Sequence, residues 1–193
     1  KQSVCNAIMA LVNAGDEVII PAPYWVSYPQ MVKLAEGEPV IVEAGIEQDF
    51  KITPEQLEAA ITPKTRALIL CSPSNPTGSV YSKEELAGLA RILAQHERVI
   101  VIADEIYEHI NYIGKHESIA QFAEIKDRVV IVNGVSKAYA MTPLKLLPLE
   151  ILCMPFMTAA RSRPGGMPRS RPGAAAARLE HWHSGAWRSG SGS

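Results

Sequence analysis

Short apolar runs alternate with segments of helical periodicity along roughly the first 140 residues of the chain. A short apolar run bounded by turn residues is typical of a buried strand, whereas apolar residues three and four positions apart are typical of a helix. Strands are predicted at residues 16–22, 38–44, 66–72, 98–104 and 128–134. Helices are predicted at residues 2–13, 28–36, 54 onward, 83–96 and 105–110.

Three of the predicted strands, at residues 66–72, 98–104 and 128–134, are almost continuously apolar. Strands that are covered by helices on both faces have this composition, and they occur mainly in parallel sheets joined by helical crossovers. Two capping boxes, which begin at Thr53 and Ser82, mark the starts of helices. The pattern therefore predicts an α/β fold, a mainly parallel sheet with helices on both faces.

This regular pattern ends soon after the last predicted strand. Pro143 and Pro148 interrupt any helix there, and residues 151–193 are rich in Arg, Pro, Gly, Ala and Ser without periodicity. We predict a folded domain over residues 1–142 and a disordered or frameshifted tail over residues 143–193. An RNA-binding role for the tail is an open alternative, because the tail is basic.

Composition and charge narrow the setting of the protein. The 193 residues carry a net charge of −1, which gives no reason to expect nucleic acid or an anionic membrane as a partner. No apolar stretch reaches transmembrane length. Cys5, Cys71 and Cys153 lie far apart and form no disulfide or zinc pattern, which favours a reducing, cytoplasmic setting. The histidines show no ligand-like grouping, so no metal site is predicted.

Polar residues follow the last three predicted strands at the point where each strand ends. Asn75 lies in the turn after the first of them, Asp104 and Tyr107 follow the second, and Ser136 and Lys137 follow the third. Ligands of open parallel sheets bind outside the carboxyl ends of the strands. We therefore expect these five side chains to form one polar cluster.

An amine, an isolated carboxylate, a phenol, an amide and a hydroxyl together suit one cofactor, pyridoxal 5′-phosphate. A lysine that is desolvated at a strand end can form a Schiff base with a carbonyl group. An acid beside a pyridine ring keeps its nitrogen protonated. The phenol and the amide can both bond a ring oxygen, and the hydroxyl can hold a phosphate.

Four motifs resemble those of the class I aminotransferases that depend on pyridoxal phosphate. They read KQSVCNAIMALVNAGDEVIIPAPYWVSYP, SPSNPTG, ADEIYEHI and NGVSKAYAMT, and they stand in family order and spacing over residues 1–142. They look most like the prokaryotic-type aspartate or aspartate/prephenate aminotransferases. The resemblance implies the large domain of a fold-type I enzyme, truncated at both ends. It also implies amino-group transfer between an aspartate- or glutamate-like amino acid and a 2-oxo acid.

By that resemblance, five residues surround the cofactor ring. Lys137 would carry the Schiff base and later move the substrate proton, while Asp104 would pair with the pyridine nitrogen. Tyr107 and Asn75 would bond the ring oxygen, and Trp25 would lie against the ring face.

The resemblance also assigns the phosphate site, to Ser136 and Lys1, and implies a cis peptide bond between Asn75 and Pro76. Where the family has Gly-Trp-Arg, residues 143–145 of this chain read Pro-Leu-Lys. A lysine cannot reproduce the bidentate phosphate contact of an arginine. The family's carboxyl-terminal small domain, with the arginine that grips the substrate carboxylate, is also missing from the resemblance, so we expect impaired turnover in this chain. The resemblance implies a homodimer for the intact protein.

Each candidate residue also has a purely structural interpretation. Asp104 could cap a helix over residues 105–110, Tyr107 could be a core aromatic, Asn75 could belong to a plain turn, and Lys137 could be a surface residue. Trp25 could likewise be a packed aromatic, and Ser136 could be an ordinary turn residue.

Besides the RNA-binding role of the tail, two functional alternatives remain for residues 1–142. One is another enzyme with the same cofactor, such as an aromatic or alanine aminotransferase or a β-lyase. The other is a non-catalytic, cofactor-binding regulatory module.

Overall fold

A computed structural model gives the fold of the protein and describes residues 1–142. This part of the chain contains the strands β1 (Glu17–Ala22), β2 (Glu38–Glu43), β3 (Thr65–Cys71), β4 (Ile100–Asp104) and β5 (Val129–Val132). They form one sheet in the order β2-β1-β3-β4-β5, and every neighbouring pair is parallel. The predicted strands are therefore confirmed, with small differences at their ends.

Helices cover both faces of this sheet. Within residues 1–142 they are α1 (Gln2–Leu11), α2 (Ser27–Leu34), α3 (Pro54–Ala60) and α4 (Lys83–Gln95). Both predicted capping boxes are present: the hydroxyls of Thr53 and Ser82 accept backbone N–H bonds, and the side chains of Gln56 and Glu85 accept the reciprocal ones. The predicted α/β class, with helices on both faces, is confirmed.

Two apolar layers hold the sheet between its helices, because successive strand residues point to opposite faces. The layer under α3 and α4 includes Ile19, Leu57, Leu68, Leu86, Leu89 and Val101. The layer under α1 and α2 includes Val4, Ile8, Val18, Val32, Ile69 and Ile102. The sheet is thus buried on both faces, and its polar residues collect at the strand ends.

The helix predicted over residues 105–110 is wrong, because this segment folds into consecutive turns. The backbone N–H of Ile106 points at Asp104 Oδ1 at 3.4 Å. The N–H groups of Glu108 and Ile110 each reach a carbonyl three residues back, not the four residues of an α-helix. A side-chain acceptor at the strand end therefore starts a turn that leads on into further turns.

The predictions for residues 143–193, including Lys145 and a disordered or frameshifted tail, lie outside the described residues. Inspection of the helices within residues 1–142 finds no helix with the length and apolarity that crossing a membrane requires.

Candidate functional site

The candidate site lies at the carboxyl edge of the sheet, where three strand ends are level. Cys71 of β3 pairs in register with Asp104 of β4, which in turn pairs with Val132 of β5. The segments that leave these strands therefore start side by side. This register is what brings residues from distant parts of the sequence to one edge, as the apolar runs predicted.

Asp104 is the buried acid of this edge, with 6% of its surface exposed. Its Oδ2 accepts a hydrogen bond of 2.7 Å from the hydroxyl of Tyr28, and its Oδ1 faces the N–H of Ile106. Burial raises the pKa of Asp104 above the usual value of an aspartate, while these two donors act in the opposite direction. The protonation state of this carboxyl group therefore depends on the hydrogen bonds that it accepts from Tyr28 and Ile106.

Asn75 and Tyr107 meet beside this acid. The Asn75 Nδ2 lies 3.4 Å from the Tyr107 hydroxyl, although the two residues follow different strands. Asn75 is held in a tight turn, in which the N–H of Gly78 donates to the carbonyl of Ser74, and the Asn75–Pro76 peptide bond is cis as predicted. Gly78 has a φ of +78°, a conformation that favours glycine. Two hydrogen-bond donors therefore converge on one point at the sheet edge.

Lys137 approaches the same pair from the segment after β5. Its Nζ lies 5.9 Å from the centre of the Tyr107 ring, which is within cation–π range, and its side chain is exposed. The neighbouring Ser136 is buried, and its carbonyl accepts a bond from the hydroxyl of Thr142. Lys137 is therefore an accessible amine on an anchored turn, and the desolvation expected for it from the sequence is not observed.

Trp25 and Lys1 lie together on the α2 side of the site. The Lys1 Nζ is 5.1 Å from the centre of the Trp25 ring. The Trp25 ring also packs edge-to-face on Tyr28, at 5.4 Å between ring centres and an interplanar angle of 89°. Since Tyr28 bonds Asp104, the predicted residues Lys1, Trp25 and Asp104 are linked through a residue that was not predicted.

Tyr28 and Cys71 are the site residues that sequence reasoning missed. Tyr28 is on the buried face of α2, so in the sequence it resembles any core aromatic. Its one signal is its place three residues after Trp25, which puts both rings on one side of a helical turn. Cys71 lies beside Tyr28 and Asp104, and its burial raises the pKa of the thiol to about 12, so this thiol is neutral at physiological pH.

A group of possible metal ligands was also not predicted. Glu105, Glu108 and His116 bring their ligand atoms within 4.8 Å of one another, although their sequence spacing resembles no metal motif. These side chains already have internal partners. Glu105 accepts a bond from Ser118 at 2.6 Å and pairs with His116 Nε2 at 3.1 Å, and Glu108 pairs with His109 Nε2 at 3.0 Å. The group fastens residues 116–118 to the end of β4.

The donor set of the edge fits pyridoxal 5′-phosphate. A pyridine nitrogen needs a buried acid, and Asp104 is one with a protein donor on each oxygen and further lone pairs to share. A ring oxygen needs donors, which the adjoining Asn75 amide and Tyr107 phenol can supply. An aldehyde needs an accessible amine, and Lys137 stands beside Tyr107.

Comparison with known proteins agrees with this chemistry. Residues 1–146 match the family described as "Aminotransferase class I and II". The chain is 58% identical over 144 residues to a probable aspartate/prephenate aminotransferase of Rickettsia bellii, covering 74% of this chain and 36% of the relative. It is 55% identical over 145 residues to an aspartate aminotransferase of Geobacillus stearothermophilus, with the same two coverages.

A solved structure supports the same assignment. The aspartate aminotransferase of Rhizobium meliloti superimposes with a TM-score of 0.72 at 48% identity, over 74% of this chain and 36% of that structure. The chain thus spans about a third of the length of the curated relatives it matches. The match covers every residue of the sheet edge described above, and the chain belongs to the class I and II aminotransferase family.

Proposed function

We propose that residues 1–142 bind pyridoxal 5′-phosphate at the carboxyl edge of the sheet. We propose further that the intact protein transfers an amino group from an aspartate- or glutamate-like amino acid to a 2-oxo acid. The observation that carries the proposal is the convergence of Asp104, the Asn75–Tyr107 pair and Lys137 on three level strand ends.

Each residue at the carboxyl edge of the sheet has a separate proposed role in binding the cofactor. When bound, the cofactor supplies an aldehyde and an electron-accepting pyridine ring. The Lys137 amine would hold the cofactor aldehyde and would move the proton at the substrate Cα. Asp104 would keep the ring nitrogen protonated, while Asn75 and Tyr107 would donate to the ring oxygen. Trp25 would cover the ring face.

Ser136 and Lys1 are the proposed phosphate ligands. Both lie at ends of segments that flank the ring site: Ser136 directly precedes Lys137, and Lys1 lies over Trp25. A serine hydroxyl and a lysine ammonium are ordinary phosphate donors, so the assignment is chemically consistent.

We also propose that the intact protein is a cytoplasmic homodimer. Exposed apolar side chains in the described part support an interface, among them Tyr112, Ile113 and Val26, which are 91%, 72% and 75% exposed. Cys5 and Cys71 are free thiols, which suits a reducing compartment. Sedimentation analysis would test the dimer.

The decisive experiment traps the cofactor on its lysine. The 193-residue chain is mixed with pyridoxal 5′-phosphate, reduced with borohydride and mapped by peptide mass spectrometry. We expect one label per chain, on the peptide that contains Lys137, and complete loss of that label in Lys137→Ala. Lys64→Ala, which removes an exposed lysine that precedes β3 at the opposite edge, is the matched control and should keep the label. A label that survives in Lys137→Ala contradicts the assignment.

The substrate is tested separately on the intact protein, because this chain spans only about a third of its relatives, by the 2-oxo acid released in a single turnover. Aspartate and glutamate should release more than alanine or phenylalanine. A preference for phenylalanine or alanine would favour an aromatic or alanine aminotransferase. Trapping at Lys137 with no 2-oxo acid released from any amino acid would favour a non-catalytic, cofactor-binding module.

A further inference from the structure

Tyr28 makes a polar contact that the packing of its helix does not require. It lies in the first turn of α2, and only 2% of its surface is exposed. Its ring packs in the apolar layer under α1 and α2, where a phenylalanine would fill the same space. Its hydroxyl nevertheless donates to Asp104 Oδ2 at 2.7 Å, across 76 residues of sequence.

The contact solves a problem for both partners. A buried phenol and a buried carboxyl group are each unfavourable without a hydrogen bond. A short bond from a phenol to a carboxylate is charge-assisted and favours the ionised acid over the neutral one. Burial acts on Asp104 in the opposite direction, and the Tyr28 hydroxyl, at 2.7 Å, is the nearer of the two hydrogen-bond donors that oppose it.

The other groups that face Asp104 do less than Tyr28 to favour its ionised form. The Cys71 thiol is neutral, and its neighbourhood disfavours a negative charge. The Ile106 N–H is 3.4 Å away, which is a long hydrogen bond.

We propose that Tyr28 is a positioning residue, whose hydroxyl orients the Asp104 carboxylate and keeps it ionised for the ring nitrogen of a pyridine cofactor. The inference rests on the proposed function. It adds a residue on α2 that acts through Asp104 and touches no cofactor atom itself.

The role of the Tyr28 hydroxyl can be separated from the structural role of its ring and backbone. The backbone N–H of Tyr28 donates to the carbonyl of Trp25, and its ring supports the Trp25 ring edge-to-face. Tyr28→Phe keeps both of these features and removes only the hydroxyl. Its effect should therefore be confined to ligands that carry a ring nitrogen.

The test compares two ligands on three proteins. The ligands are pyridoxal 5′-phosphate and its analogue in which a C–H group replaces the ring nitrogen. The proteins are the full chain, Tyr28→Phe, and the control Tyr81→Phe. Tyr81 is also a buried phenol, 4% exposed, but it serves the other apolar layer and accepts the N–H of Ile52 at 2.9 Å.

We expect Tyr28→Phe to weaken binding of the pyridoxal 5′-phosphate about tenfold, the usual weight of one charge-assisted hydrogen bond. Binding of the analogue should change less than about twofold, because it makes no bond that depends on the charge of Asp104. Tyr81→Phe should leave the ratio of the two affinities unchanged. Equal losses for both ligands in Tyr28→Phe, or no loss for either, would overturn the inference.

Two further arms keep the result decisive. If the unmodified chain binds both ligands equally, the proposed contact between Asp104 and the ring nitrogen fails, which is a failure of the proposed function itself. If Tyr28→Phe does not fold, 3-fluorotyrosine placed at position 28 keeps the bond and makes the phenol a stronger donor. The preference for pyridoxal 5′-phosphate must then rise, and an unchanged preference would count against Tyr28.

Discussion

The two edges of the sheet use polar side chains in different ways. At the amino edge, three arginines bond backbone carbonyls. Arg66 donates to the carbonyls of Leu11 and Arg98, and Arg98 donates to that of Pro63. Arg128 donates to the carbonyls of His96, Val99 and Leu93, at 2.9, 2.8 and 3.0 Å. Each of these contacts completes the hydrogen bonding of a loop or a helix end.

The carboxyl edge also has bonds to the backbone, such as that of the Ile106 N–H to Asp104, but two of its bonds run between the side chains of distant residues. Tyr28 bonds Asp104 and Asn75 bonds Tyr107, so each bond joins segments that are far apart in the sequence. Such bonds satisfy no backbone group, and they leave lone pairs and donors that can still bind something else. This difference indicates that the side chains of the amino edge stabilise the fold, whereas those of the carboxyl edge retain hydrogen-bonding capacity for a ligand.

The largest effect on stability should come from the amino edge. Arg128→Ala removes three bonds to carbonyls at the end of α4 and the start of β4, so we expect a loss of about 3 kcal/mol in the free energy of unfolding. Urea unfolding measures this loss. At a protein concentration and temperature where the variant remains folded, its affinity for pyridoxal 5′-phosphate should be unchanged.

Arg128→Lys is the matched control for this variant. It keeps the charge but not the fork of donors, so most of the loss should remain. If either substitution changed cofactor affinity in the folded protein, the division between the two edges would be wrong.

Asp104→Asn should separate stability from binding at the carboxyl edge. An asparagine can still accept from the Ile106 N–H and can donate to the Tyr28 hydroxyl, so the fold remains intact. The variant can no longer pair with a protonated ring nitrogen, and we expect affinity for pyridoxal 5′-phosphate to fall by about 2 kcal/mol, as measured by absorbance titration.

The same variant should be more stable than the wild type at neutral pH. Because burial raises the pKa of Asp104, the folded state holds its proton at pH values where the unfolded state has lost it. Wild-type stability is therefore lost as pH rises from the ordinary aspartate pKa through the raised one. Asp104→Asn should abolish that part of the pH dependence in urea unfolding, and an unaltered profile would contradict it.

The smallest effect should come from Tyr107→Phe. This variant removes one of the two donors proposed for the ring oxygen and keeps the ring beside Lys137. We expect cofactor affinity to fall by about 1 kcal/mol, roughly fivefold, since Asn75 remains as a donor. Unfolding free energy should stay within about 0.5 kcal/mol of the wild type, because Tyr107 is only half-buried.

The strand ends and the residues that follow them were predictable from the sequence. A continuous apolar run indicates a strand that is buried on both faces, and the run stops where the strand ends. The sequence did not predict the bond between Tyr28 and Asp104, because a tyrosine and a phenylalanine contribute in the same way to the apolar periodicity of a helix. It predicted a helix over residues 105–110 from local pattern, while in the fold the side chain of Glu105 bonds Ser118 and His116. Such tertiary contacts override weak local preference.

The strand order has one more consequence for the proposed cofactor. Within residues 1–142, β5 has a single neighbour in the sheet, whereas β4 lies between β3 and β5. The amine of Lys137 therefore follows an edge strand, and the acid of Asp104 ends an inner one. A cofactor bound to both residues would therefore connect the edge strand β5 to the inner strand β4. Cofactor binding would then also stabilise β5 in the sheet.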